Sequence, residues 1–449
     1  MSRRILAALS GALLLWLCWL LPSAPAASAH AELLRSTPAA GAKLKELPRQ
    51  ITLVFSEGVD VSQTRISIGA TRLSLRAADA DATEVVAGLP KTDLPAAQGV
   101  WRLSWRSVSA DDGHVESGTV AFCSAAKPAQ VPASPAAPAP AAVPAADIAV
   151  RDALTAARLI GYLGLTLFVG GGAFLAALWP QGGGDRRTRG LVGTAWVAGL
   201  LTSVAVVGLQ GAYAAQKPLG AALFAPSSYS AALDTHVGTV LAARALLWLL
   251  AGVPLAALLQ RGEQAARSPG WRLAGTAIGF GLLRTTGMAG HSAEVPHRSW
   301  GAIADFVHLA GVSLWLGGLA VLLVGVLPGR RSEELAFVVP RYSRLAMASV
   351  AGIAVAGAIL SWQLLGSVSA LVDTGYGRLL LVKIALLAVV LPAAQRSSVW
   401  TRHRLDIAVL LRGHAAAVRP FVYSVAAETG IVLLVLTAAS VLVGSDPGR

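Results

Sequence analysis

"VWRLSWRSVSADDGHVESG", running from Val100 to Gly118, decides how the first part of this 449-residue chain folds. Trp101, Leu103 and Trp105 alternate with Arg102, Ser104 and Arg106. Successive side chains on a strand point to opposite faces, so a period of two predicts a half-buried strand. "DDGH" then reads as a turn. Upstream, "QITLVFSEGV" (50–59) repeats the pattern, setting Ile51, Leu53 and Phe55 against Thr52, Val54 and Ser56. "PAAGAKL" (38–44) supplies another turn signal. Several short strands within residues 30–123 predict a small antiparallel β-sandwich.

Further upstream, Arg3 and Arg4 precede an apolar run from Ile5 to Leu21, and Ala27-Ser28-Ala29 follows. A basic start, an apolar core and an A-x-A site describe a secretory signal peptide over residues 1–29. Cleavage would make His30 the first residue, outside the cytoplasm. It would also remove Cys18, leaving Cys123 without an internal disulfide partner. Downstream, residues 124–151 are dominated by Ala and Pro and read as a semi-rigid linker.

The remainder, 152–445, is a series of apolar runs near the length that crosses a bilayer core. Eight transmembrane helices are expected, at about 153–178, 190–213, 237–259, 271–290, 301–327, 345–366, 378–394 and 421–443. Hydrophobic residues make up 55% of the chain and charged ones 14%, and the mean hydropathy is +0.61. The net charge of +13 would suit nucleic acid, but the arginines fall between apolar runs, which suits membrane topology. The segments after helices 1, 3, 5 and 7 hold Arg186, Arg187 and Arg189; Arg261, Arg267 and Arg272; Arg330, Arg331, Arg341 and Arg344; and Arg396, Arg402, Arg404, Arg412 and Arg419. The alternate loops hold little beyond Lys217, Arg298 and Arg378. The positive-inside rule then puts the sandwich, the linker and the C-terminus outside a cell membrane.

An N-terminal histidine offers its α-amine and its ring Nδ1 to one metal. A second histidine and a carboxylate would complete a planar N/N/N/O set, which suits Cu(II). Asp112 and His114, two apart across Gly113, are the candidates. In the membrane region, ionisable residues are costly and therefore functional candidates. His291, Asp305 and His308 form the densest group; Asp305 and His308 are i, i+3 and are expected on one helix face. Arg158, Arg244, Arg284, Lys383 and Glu428 are further membrane charges, and their positive excess fits poorly with a cation path.

Three motifs carry a resemblance: "H-A-x-L-x-x-S-x-P-A-x-G" from His30, "I-x-L-x-F-S-E" from Ile51 and "V-S-A-D-D-G-H-V-x-S-G" from Val108. Residues 30–123 resemble the copper-resistance protein CopC. That resemblance implies an extracytoplasmic copper-binding sandwich of Greek-key type whose Cu(II) ligands would be His30, Asp112 and His114, with Asp112 favoured over its neighbour Asp111. Residues 30–123 contain no Met, so the Met-rich Cu(I) site of some CopC proteins is not expected. "D-F-V-H-L-A-G-V-S-L-W-L-G-G-L" from Asp305, "R-Y-S-R-L-A" from Arg341 and "Y-G-R-L-L-L-V-K" from Tyr376 resemble CopD, the membrane partner of CopC. The joint resemblance implies a copper-homeostasis protein that captures Cu(II) outside and transports it, inward by preference. A copper chaperone on either side is a conceivable partner; nucleic acid is not. With no P-loop motif and no catalytic set, neither direct ATP drive nor an enzyme is expected. Two other readings remain open. His236, His291 and His308 lie near the outer helix ends, where two could bracket a haem in a redox protein. Alternatively, the chain stores or senses copper without transport.

Overall fold

A computed structural model describes residues 33–44, 46, 48–80, 82–90, 100–110, 115–124, 145–215, 217–288, 298–329 and 332–365, with a few positions between 369 and 381. The expected signal peptide, the span 421–443 and most of the span 378–394 lie outside the described residues.

The N-terminal part is two packed sheets. Strands β1 (Leu33–Thr37), β3 (Gln50–Phe55), β6 (Ser74–Ala77) and β7 (Glu84–Gly88) form one sheet in the order β1-β3-β7-β6. Strands β2 (Lys43–Leu44), β4 (Arg65–Ile68), β5 (Thr71–Arg72), β8 (Val100–Val108) and β9 (Val115–Ser124) form the other, ordered β2-β9-β8-β4-β5. Pairing is antiparallel except between β2 and β9. The expected sandwich is therefore present, with the chain crossing repeatedly between the sheets. The alternation works as read: Ile51, Leu53 and Phe55 are buried, and so are Leu103 and Trp105. These side chains meet Ile66, Ile68, Val85, Val120 and Phe122 in one core. Phe55 and Trp105 close it across the sheets, edge to face at 5.6 Å. Gly118 lies opposite Trp105 on β9, where a Cβ would come 2.7 Å from the indole; only glycine leaves that ring its place. Cys123 is a buried free thiol.

The rest is helical: α1 (Ala145–Ala177), α2 (Arg186–Ala214), α3 (Leu219–Phe224), α4 (Pro226–Leu233), α5 (His236–Arg261), α6 (Glu263–Arg267), α7 (Pro269–Met288), α8 (Arg298–Val321) and α9 (Ser332–Leu365). A π-helical turn, Leu322–Val326, prolongs α8. Five stretches are long and apolar enough to span a membrane: Ile148–Ala177, Arg186–Ala214, His236–Arg261, Trp300–Val326 and Phe337–Gln363. The fourth expected span is a 20-residue helix, α7, that carries Arg272 and Arg284 and falls short on apolarity. Six of the eight expected spans thus coincide with described helices, five of which meet the requirement for a span.

The helices also run further than the apolar runs suggested. Residues 145–151, read as linker, already belong to α1, and Arg341 and Arg344, read as loop, sit within α9. Charge interrupts hydropathy without interrupting helix propensity, and the exposed Arg341 guanidinium folds back 3.4 Å from the Phe337 ring centroid. The short helices α3 and α4 were not expected, because neither is long enough to register as a span.

Small residues set the helix crossings, since lipid gives apolar side chains no reason to prefer each other. At the α1–α8 crossing, Gly170 lies directly on the Ser313 carbonyl and on Gly317. A second cluster, containing Phe174, Trp179, Leu258, Leu322, Val326 and Tyr342, fills the bundle end remote from the sandwich. Arg186, Arg187, Arg189, Arg261 and Arg267 gather at that remote end, where α2 begins and α5 finishes.

Candidate metal centre

His30, Asp112, His114 and His291 lie outside the described residues, but the frame around the first three is clear. Val108 and Val115 are the last register pair of the β8–β9 ladder, bracketing residues 111–114. The β8 end is pinned beyond its last strand residue. Val108 O accepts from Asp60 N at 2.8 Å, Val108 N donates to Thr64 Oγ1 at 3.3 Å, and Ala110 N donates to Gly58 O at 3.0 Å. Ser109 is buried and bridges to Val59. On the other sheet, Leu33, three residues after His30, pairs with Phe55, only three residues before Gly58. The anchors of His30 and of residues 111–114 therefore share one end of the sandwich.

That end rests on the helical bundle. Val108 and Val115 pack with Tyr213 and Ala214 at the end of α2. Arg106 Nη2 donates to the Tyr213 carbonyl at 2.5 Å, and its guanidinium lies 5.7 Å from the Tyr213 ring centroid. Gln63 Nε2 donates to the Ala231 carbonyl, on α4, at 3.2 Å. Sequence reading missed this contact. Arg106 falls on the polar face of β8, where period alone assigns it to solvent, and no sequence signal names Tyr213 as its partner.

In the membrane region, the half-buried Asp305 lies against Gly287 of α7. Arg284 lies one helical turn before Gly287 on the same helix. His308, also half-buried, lies near Gly357 of α9, its ring 3.7 Å from where a Cβ would stand. Asp305 and His308 thus share α8 but lean on different neighbours, because positions three apart differ by about 60° around a helix. Among the described residues no three His, Cys, Asp or Glu side chains cluster closely enough to hold a metal. His236 opens α5 and is exposed.

Residues 33–124 match the CopC domain family, residues 147–300 match the family described as Copper resistance protein D-like, N-terminal domain, and residues 336–442 match Copper resistance protein D. The chain is a CopC–CopD fusion. The copper transport protein CutJ of Bacillus subtilis is 29% identical to it over 381 residues, which is 80% of this fusion and 65% of CutJ. Copper resistance protein D of Pseudomonas syringae pv. tomato is 29% identical over 167 residues, 35% of the fusion and 54% of that protein. The matches thus span less than two thirds of the length of both relatives. The crystal structure of CopC from Methylosinus trichosporium OB3b aligns with 24% identity, covering 21% of the fusion and 93% of that chain, at a TM-score of 0.18. The fusion is a multi-pass membrane protein of the copper resistance families.

Proposed function

We propose that the CopC–CopD fusion captures Cu(II) outside the cytoplasm and passes copper into its helical bundle for inward transport. His30, Asp112 and His114 form the capturing site once the signal peptide is removed after Ala29. The His30 α-amine and imidazole, the His114 imidazole and the Asp112 carboxylate supply three nitrogens and one oxygen, a tetragonal set for Cu(II). His291, Asp305 and His308 receive the metal in the membrane.

The observation that carries this reading is the packing of Val108 and Val115 on Tyr213 and Ala214. It puts both anchors of the 111–114 segment against the bundle. His30 follows the same logic: three residues of chain reach at most about 10 Å from Leu33. The sandwich also stays tethered to its acceptor, which raises the local concentration of captured copper at the bundle without any new contact. Arginines gathered at the remote end support a cytoplasmic assignment for that end and an outer position for the sandwich.

Copper accumulation in cells producing wild type, His114→Ala or His308→Ala tests the reading. Both variants are expected to lower uptake at limiting copper, and His308→Ala also at high copper. Unchanged uptake by His308→Ala, with the protein in the membrane, would reduce the bundle to a storage or sensing module.

A further inference from the structure

Arg158 of α1 and Arg244 of α5 line one small cavity between α1, α2, α5 and α7. Tyr162, Thr202, Ser203 and Thr286 share its wall. Its volume is about 30 Å3, room for one or two water-sized groups. Arg158 Nη2 donates to Gln210 Oε1 at 3.3 Å, and Arg244 Nη2 donates to the Thr285 carbonyl at 2.5 Å. Arg244 Nε is buried without a hydrogen-bond partner among the described residues. Neither arginine makes a salt bridge among the described residues, and both guanidinium-bearing side chains line the same cavity.

Two like charges on one water-sized cavity at membrane depth are costly unless something negative lies between them. Arg158 and Arg244 come from different spans, so each can present N–H groups to a shared guest. We propose that this cavity is an anion site, in which Arg158 and Arg244 hold a small inorganic anion of the halide class, chloride under cellular conditions. Room for one or two water-sized groups suits a monatomic anion. The anion neutralises the positive excess that would otherwise oppose a cation moving through the same bundle, and it ties α1 to α5.

The test uses the full chain, metal-free, in lipid nanodiscs. Its melting temperature is followed as sodium chloride replaces sodium gluconate at constant ionic strength. A ligand that binds only the folded state raises Tm with its concentration. The expected result is a saturable rise of about 3 °C or more. Arg158→Gln and Arg244→Gln are expected to lose most of that increment. Should Arg244→Gln fail to fold, Arg158→Lys, which keeps the charge but loses the planar fork, is expected to need several-fold more chloride for half the effect. Bromide is expected to substitute for chloride. Equal melting in chloride and gluconate overturns the proposal. So does an increment that survives in Arg158→Gln, or one that follows anionic lipid rather than halide. Copper is absent throughout, so the outcome is independent of the transport reading.

Discussion

Gly287→Ala gives a sharp test of Asp305. A Cβ tolerates no heavy atom closer than about 3.0 Å, and Asp305 Oδ2 stands about 1 Å inside that limit. The neighbour is the end of a short side chain, so the carboxylate swings away at a cost of about 0.5–1.5 kcal/mol if it leaves its rotamer. Alanine returns about 0.8–1 kcal/mol of helix propensity over glycine, so folding is nearly unaffected. A metal ligand, by contrast, must keep its bond to the metal within about 0.2 Å of the usual length. Radioactive copper accumulation by cells producing Gly287→Ala should therefore fall to the level of Asp305→Asn, roughly tenfold or more below wild type. Gly193→Ala, on α2 and facing open space, is the matched control and should transport normally. Wild-type uptake by Gly287→Ala, with Asp305→Asn inactive, would refute the placement of Asp305. Wild-type uptake by both would remove Asp305 from the path.

Three further outcomes follow from the same structure. Gly118→Ala overpacks Trp105 and should destabilise the sandwich by about 1–3 kcal/mol, read from the loss of tryptophan signal in a denaturant titration. Gly170→Ala drives a methyl into the Ser313 backbone and should cut the melting temperature of the bundle by several degrees, whereas Gly172→Ala, facing open space, should leave it unchanged. The apparent Cu(II) affinity of the processed chain should weaken steadily as pH falls, because the α-amine and both imidazoles must be unprotonated to bind; a competition titration with the same affinity from pH 8 to pH 4.5 would exclude nitrogen ligation.

How much was legible depended on whether the signal was local. The period of two over Trp101–Arg106 and Ile51–Ser56 is set by the pleat, and it named the buried residues Leu103, Trp105, Ile51 and Phe55 directly. Apolar runs named six described helices but misjudged their ends, because α1 and α9 continue through Asp152, Arg341 and Arg344 into polar surroundings. Hydropathy reports the bilayer rather than the helix. Asp305 and His308 were visible as charges in an apolar run, yet their separate neighbours, Gly287 and Gly357, depend on how α7 and α9 pack around α8. The contact of Arg106 with Tyr213 and the cavity shared by Arg158 and Arg244 are long-range pairings. They join residues 107 and 86 positions apart, and no local pattern announces them.

The central claim is that the sandwich feeds the bundle. Copper flux into right-side-out membrane vesicles tests it most directly, with and without a reductant. Wild type is compared with a chain processed to leave one extra residue before His30. The extra residue displaces the α-amine and leaves the bundle untouched. Flux at limiting Cu(II) should fall strongly in the extended chain and recover at saturating copper. Identical flux at every copper concentration would mean that the bundle takes its metal without the sandwich, and the claim would fail.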